Sequence, residues 1–397
     1  MTDHSESYIL AVNCGSSSLK FGLFDSFSGK MERTGMVGHI GTEGSLLEIR
    51  ESHSNIVDCR VGPFKTLDYA VEEVIKWLKE NEKQFRLNAI GHRLVQGGPD
   101  HRVPELINDS LLQTLQHFAY LAPNHLPDEI KAIKAFQTAF PNIQQVACFD
   151  TSFHRNMPSH AKYYPLPEEY KENGLMRYGF HGLSYEFIML KLSERHASLN
   201  KKKIIIAHLG NGASMAAIKK GTGIETTMGL SPIGGLVMGT RSGDLDPGVF
   251  LFLLKQTKMS EGKLDELLSK RSGLKAIAGI SDVKELLKNE ENDPNCHEAL
   301  TVFCYQVKKY IGALTAAMGG LDILIFTGGI GENAAVIRER ICHDMNFLGI
   351  KIDEKLNRGN RKIISCKSAK VKVQVVKTNE EQMIAYHTQN IINHRNL

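Results

Sequence analysis

Apolar residues fill positions 8–12 almost without interruption, and this run predicts a buried strand over 8–14. After the turn Gly15-Ser16-Ser17-Ser18, Leu19, Phe21 and Leu23 alternate with Lys20 and Gly22. That period of two predicts a second strand, 19–25, where a phosphate loop of the Walker type would open a helix. Further strands are expected at 33–38 and 46–50. Leu67, Ala70, Val71, Val74, Ile75 and Leu78 then change the spacing to three and four and predict a helix over 66–80. A strand at 89–93 leads to the turn Gly97-Gly98-Pro99. Helices are expected at 106–119 and 127–139, the latter with Pro127 in its first turn, and a strand at 145–149 runs into Asp150.

The second half repeats the opening. Residues 203–207 read as a buried strand, His208-Leu209-Gly210-Asn211-Gly212-Ala213-Ser214 as a turn, and 215–218 as a returning strand. Strand, small-residue turn and strand therefore occur once in each half, which points to a duplicated fold. A third apolar run, 321–326, meets Thr327-Gly328-Gly329-Ile330-Gly331-Glu332-Asn333 and a helical pattern over 334–345. The basic stretch 355–377 alternates with apolar residues after 362 and reads as the solvated face of a strand. Thr378-Asn379-Glu380-Glu381 precedes the last helix, and a helix cap at Thr378 or Asn379 accounts for it as well as a site does.

Composition narrows the function classes. A chain of 397 residues has room for two cored domains. Net charge is only +4, which makes no case for a nucleic-acid or membrane partner, and no apolar run approaches the ~20 residues of a membrane span. Seven scattered cysteines without a CxxC pair fit a reducing, cytoplasmic setting better than a disulfide framework or a zinc site.

The loops carry the candidate chemistry. The first lacks GxxxxGK[ST] and so is no Walker A motif, yet a tight turn between strands aims several backbone N–H groups at an anion. Two such turns at corresponding places, with a glycine-rich strand-to-helix turn at 327–333, suit a nucleotide clamped between domains. Arg93 and Arg241 offer forks for carboxylate or phosphate oxygens, although either alone could be a surface ion pair. His181 lies between glycines in Tyr178-Gly179-Phe180-His181-Gly182. Asp150 and Glu380 supply carboxylates, and nucleotide-bound Mg²⁺ needs only one or two of them.

The blocks VNCGSSSLKF, GHRLVQGG, FDTSFH, YGFHGLSY, AHLGNGAS, MGTRSGDLDPG, FTGGIGENA and TNEE occur in the order seen in acetate kinases, from residue 9 to about 386. The chain thus resembles that family over nearly its whole length. The resemblance implies an α/β chain of two ribonuclease-H-like domains, the duplicated actin-like ATPase fold, around a central cleft. The boundaries it suggests are 1–150 plus 380–397 for an acyl and phosphate domain, and 151–379 for a nucleotide-binding and dimerisation domain. It also implies a homodimer and reversible phosphorylation of acetate by ATP with Mg²⁺, Mn²⁺ being the alternative ion. Carried onto this chain, Arg93 and Arg241 would hold the carboxylate and the transferring phosphoryl group, with Asp150 and His181 as further catalytic groups. Val95, His125, Phe180 and Pro232 would line the acyl site. Asn13 and Glu380 would hold the metal. Ser16, Ser18, Lys20, His208, Leu209, Gly210, Asn211 and Gly212 would contact phosphates. Asp282, Val283, Lys284, Gly328, Gly329, Ile330, Gly331 and Asn333 would line the nucleotide site.

Several positions depart from the family's pattern. Gln96 stands where histidine is usual, Asn124 where leucine often lines the pocket, Lys284 where arginine is common, and Pro-Ile-Gly-Gly at 232–235 where Pro-Leu-Glu-Gly is more usual. They bear on acyl and nucleotide preference more than on activity; a propionate kinase, or a nucleotide-binding switch without catalysis, are the alternatives. Cys14, inside the first loop, is explained by small-residue packing or by thiol chemistry.

Overall fold

The computed structural model describes residues 7–15, 18–51, 55–194 and 198–393. The chain divides into two compact units. Unit 1 comprises Met1–Ser152, Gly182–Phe187 and Asn379–Leu397; unit 2 comprises Phe153–His181 and Ile188–Thr378.

Unit 1 is built on an eight-stranded sheet: β1 (Tyr8–Cys14), β2 (Leu19–Asp25), β3 (Met31–Gly38), β4 (Leu46–Glu51), β5 (Asn55–Val61), β6 (Leu87–Leu94), β7 (Glu105–Leu106) and β8 (Gln144–Phe149). The strand order is β5-β4-β3-β2-β1-β6-β8-β7. β1 and β2 form the expected hairpin, Cys14 opposite Leu19, while β6 lies parallel to β1 and β8 parallel to β6. β1 is buried along its whole length, which is why it reads as a continuous apolar run. Leu10, Val12 and Cys14 pack in one core with Val71, Val74 and Trp77 of the helix Leu67–Glu80 and Phe136 of the helix Leu126–Ala139. The helix Glu380–Asn393 packs on β1, β2, β6 and β8.

Unit 2 repeats the plan with five strands: β9 (Lys203–Leu209), β10 (Ala213–Lys219), β11 (Thr222–Thr226), β12 (Ile323–Thr327) and β13 (Lys372–Val375). Their order, β11-β10-β9-β12-β13, matches β3-β2-β1-β6-β8 of unit 1, again with an antiparallel hairpin followed by parallel strands. The 25-residue helix Pro294–Met318 lies on β9, β10 and β11.

Local differences from the sequence reading have physical causes. Residues 105–106 pair with β8 as a short strand, so the helix expected from 106 starts at Asp109, where Asn108 caps it. The glycine-rich segment is itself a short helix, Gly328–Asn333, followed by Ala335–Cys342. The basic stretch opens with the helix Glu354–Arg358 and becomes strand only at β13, with Val373 and Gln374 buried.

Candidate active site

In both units the candidate residues gather at the carboxyl ends of parallel strands, the place where open α/β sheets leave backbone groups unpaired. In unit 1, β1 ends at Asn13-Cys14, β6 carries Arg93 in its last turn of chain, and Asp150 follows β8. Arg93 donates from Nε (3.0 Å) and Nη2 (2.6 Å) to Asp150 Oδ2, and from Nη1 to the Cys14 carbonyl (3.2 Å). Glu129 Oε1 stands 3.8 Å from Nη1. Asn13 Nδ2 donates to Glu380 (2.9 Å) and Glu381 (3.0 Å) at the start of the last helix, where Asn379 Oδ1 accepts from Gln382 N and acts as the cap.

The electrostatics of this cluster are unusual. Burial works against the Arg93 charge, but Asp150, Glu380 and Glu129 overcome it and hold Arg93 firmly cationic. Burial pushes the Asp150 carboxyl upward against the pull of Arg93, and nearby Glu380 adds to the rise. Its Oδ1 is buried and has no hydrogen-bond partner among the described residues. A buried carboxylate oxygen left this way suits a cation or a cation's water. Among the described residues no three His, Cys, Asp or Glu side chains cluster as a metal cage. Mg²⁺ does not require one, and Asp150, Glu380 and the Asn13 amide fit its preference for few oxygen donors and retained waters.

Glu129 was not among the candidates. It is 3% exposed, and burial raises its carboxyl to about 7, above the usual 4.5, against the opposing pull of Arg93 and the Val95 N–H. The folded state therefore binds this proton more tightly than the unfolded chain, so stability falls as pH rises from about 4.5 through about 7. Glu129→Gln is expected to abolish that loss, on the order of 3 kcal/mol, and to gain on wild type at pH 8 relative to pH 5. Denaturant midpoints at the two pH values check it; parallel changes in both proteins would contradict it. In sequence, Glu129 looks like any acidic residue in the first turn of a helix.

The remaining unit 1 residues have plainer roles. Cys14 packs with Leu10 and Val12, and burial pushes its thiol well above the normal range, so packing rather than reactivity accounts for it. Gln96 Oε1 accepts from Gly97 N and Gly98 N, both 2.9 Å, and so pins the glycine turn. Ser18 O closes the first turn on Gly15 N (2.8 Å), Lys20 is exposed on β2, and Ser16 lies outside the described residues. Val95 is buried, His125 immediately precedes the helix Leu126–Ala139, and Asn124 is half-buried.

In unit 2, His181 has a left-handed backbone (φ 59°) just before Gly182. Such a conformation is sparsely populated outside glycine and is retained where the surroundings enforce it. Its Nδ1 meets Ser214 Oγ at 2.8 Å on β10, and its ring stacks on His208 of β9 with centroids 4.4 Å apart. A Cβ at Gly212 would lie 3.4 Å from His181 Nε2 and 3.6 Å from Arg241 Nη1, so the second hairpin turn, the histidine and the arginine converge. Arg241 Nη1 donates to the Pro232 carbonyl (3.0 Å), and Gly239 N donates to the Asn211 carbonyl (3.3 Å). Phe180 is buried, and its carbonyl accepts from His154 Nε2 (3.1 Å).

The glycine-rich helix adjoins this turn. Gly328 has φ 77°, and a Cβ there would lie 2.7 Å from the Leu209 carbonyl, so only glycine fits. Gly329 has open space at its Cβ position, leaving room for a ligand beside the backbone. Asn333 Nδ2 donates to the Gly329 carbonyl (2.8 Å), and Ile330 and Gly331 complete the turn. Asp282 caps the helix Val283–Asn289 through Lys284 N and Glu285 N; the Lys284 side chain is exposed.

The chain is similar to known proteins over nearly its whole length. The Acetokinase family profile matches residues 8–386. The acetate kinase of Carboxydothermus hydrogenoformans is 41% identical over 97% of this chain and 99% of its own. The crystal structure of Porphyromonas gingivalis acetate kinase superposes with a TM-score of 0.85 at 39% identity, over 97% of this chain and 100% of that one. A propionate kinase from Francisella tularensis gives 0.90 at 36% identity with the same coverage. With the duplicated actin-like sheet order and this family match, the chain belongs to the acetokinase family, with acetate kinase activity, and is a phosphotransferase whose acceptor is a carboxyl group.

Proposed function

We propose that the chain transfers the terminal phosphoryl group of ATP directly to the carboxylate of acetate, reversibly and without a phosphoenzyme. The observation that carries the reading is the Arg93–Asp150 pair, a half-buried cation on a buried carboxylate whose other oxygen lacks a partner among the described residues. Acetate is already ionised at pH 7, its reference pKa being about 4, so the nucleophile needs no general base. The obstacle is bringing an anion against a polyphosphate, and catalysis must supply positive charge and alignment.

In this reading unit 1 is the acyl domain and unit 2 the nucleotide domain. Arg93 orients the acyl carboxylate, and Val95, His125, Phe180 and Pro232 are the residues read as lining the acyl group. Arg241 and His181 stabilise charge on the transferring phosphoryl group. His208, Leu209, Gly210, Asn211 and Gly212 present phosphate contacts from the second turn, and Ser16, Ser18 and Lys20 support the first. Gly328, Gly329, Ile330, Gly331, Asn333, Asp282, Val283 and Lys284 take the rest of the nucleotide. Asn13, Glu380 and Asp150 hold Mg²⁺, directly or through water; when bound, that ion neutralises phosphate charge. Mixing the protein with Mg-ADP and acetyl phosphate is expected to yield ATP. No ATP from folded protein that still binds ADP would contradict the reading.

Val95 is 3% exposed, and a bulky aliphatic side chain at that position favours a short acyl chain. One methylene discriminates by only ~1–3 kcal/mol, so propionate is expected as a poorer substrate rather than an excluded one.

A homodimer fits an exposed apolar surface on unit 2. The helix Pro247–Lys255 buries no residue, and Leu251, Phe252 and Leu254 stand open, as does Tyr305. An apolar helix with no buried face suits a second copy of the chain. Phe252→Glu is expected to yield monomers by sedimentation at micromolar concentration; an unchanged dimer would place the interface elsewhere. All seven cysteines are free, as a cytoplasmic protein would keep them. No helix among the described residues is long and apolar enough to cross a membrane.

A further inference from the structure

A glutamate in the first turn of a helix ordinarily points into water, where it complements the helix dipole. Glu129 does not. It sits one turn into the helix Leu126–Ala139, its N–H donates to the His125 carbonyl, and its carboxyl group is turned inward. Oε2 accepts from Val95 N at 3.0 Å. Val95 is the first residue beyond β6, so the sheet offers that N–H no ladder partner, and Glu129 supplies the acceptor. Oε1 faces Arg93 Nη1 at 3.8 Å, too long for a hydrogen bond, and has no other partner among the described residues. The side chain thus reaches two residues assigned above to the acyl substrate, Arg93 and Val95, while the backbone N–H of Glu129 holds the carbonyl of a third, His125.

Two buried carboxyl groups compete for one guanidinium. Asp150 takes the Nε and Nη2 fork and sets the plane of the Arg93 head group. Glu129 Oε1 stands 3.8 Å from the remaining nitrogen, Nη1, which donates to the Cys14 carbonyl. A group needed only for stability would use both oxygens, since buried polar atoms are almost always satisfied.

We propose that Glu129 is a positioning residue for the acyl substrate, fixing the Val95 backbone and the Arg93 head group so that its loss weakens acetate binding while nucleotide binding is untouched. The proposal rests on the reading of Arg93 and Val95 as acyl contacts. Glu129→Met keeps the length and removes the acceptor; Glu129→Gln keeps an acceptor for Val95 N–H. Glu129→Met is expected to raise the KM for acetate about tenfold or more, equivalent to one lost buried hydrogen bond, with the KM for ATP within about twofold of wild type. Glu129→Gln is expected to restore acetate KM to within about threefold. Unchanged acetate KM in folded Glu129→Met, equal rises for acetate and ATP, or a glutamine variant as impaired as the methionine one would each overturn it. If Glu129→Met does not fold, Glu129→Gln and Glu129→Ala decide by the same comparison. Arg93→Lys, measured alongside, separates the two failures: if it too leaves acetate kinetics unchanged, the acyl-site reading falls first.

Discussion

Arg241→Ala is expected to lower kcat by roughly 10³–10⁵-fold while the protein stays folded and still binds ATP, by analogy with arginines that neutralise a transferring phosphoryl group. Its guanidinium donates from Nη1 to the Pro232 carbonyl and lies against the Met238 sulfur. The loop beneath it is tied down by its own backbone: Met238 N to the Arg241 carbonyl, Lys275 N to the Gly239 carbonyl and Ser272 N to the Thr240 carbonyl. The arginine is thus presented on a fixed support, as electrostatic preorganisation requires. Truncating the side chain leaves those backbone hydrogen bonds in place, so the loss should fall on kcat and on kcat/KM for both substrates alike, the mark of an interaction made in the transition state. Arg241→Lys should recover only a small part, because an ammonium lacks the planar fork. Arg93→Ala is a less clean test. It strips the cation from Asp150 and Glu129 together, and two buried carboxyl groups without their partner destabilise the fold. If Arg241→Ala kept near-normal turnover, Arg241 would have no part in phosphoryl transfer.

Arg338→Leu is expected to destabilise unit 2 by about 3–5 kcal/mol. Arg338 is fully buried, yet no carboxylate is among its hydrogen-bond partners. Nη1 donates to the carbonyls of Gly331 (2.9 Å) and Glu332 (3.0 Å), at the end of the glycine-rich helix. Nε donates to Asn357 Oδ1 (2.9 Å), and Nη2 to the Asn357 carbonyl (3.0 Å) and Asn360 Oδ1 (2.5 Å). Burial lowers its pKa to about 10, which still leaves it charged at pH 7. Leucine fills part of the volume but leaves five oxygens without this donor, three of them in buried hydrogen bonds, and the cost of those unpaired oxygens dominates. Because the same guanidinium fixes the segment read as nucleotide-binding, the KM for ATP should rise more than that for acetate. Chemical denaturation and steady-state kinetics check both parts. Wild-type stability with unchanged ATP affinity would show that other contacts hold the glycine-rich helix.

The parts of the fold legible in sequence were those where burial imposes a period or a run. β1 and β9 are buried on both faces and read as apolar runs, and the two hairpin turns stood out because small residues interrupted them. β5 was not legible: most of its residues are exposed, and Asn-Ile-Val-Asp-Cys-Arg-Val shows no alternation. The helix Pro247–Lys255 is apolar all round, so no period marks it. The helix Pro294–Met318 could have been read, since Cys296, Ala299, Leu300, Phe303, Val307, Ile311 and Leu314 keep helical spacing. At the candidate site, chemistry-bearing residues in glycine-rich blocks were visible. Glu129 and Arg338 were not, because burial of a charged side chain is decided by elements far away in sequence. Nothing local distinguishes them from solvated charges on a helix.

The activity assigned to this site is phosphorylation of a short carboxylate from Mg-ATP. Hydroxamate trapping of acyl phosphate, with acetate, propionate and butyrate compared by kcat/KM, tests it most directly. Acetate is expected to turn over best, propionate behind it by about tenfold or more, and butyrate behind both. A preference for propionate would show that Asn124 and the 231–236 loop have reshaped the acyl pocket. No acyl phosphate from any of the three, in folded protein that binds ATP, would contradict the claim outright.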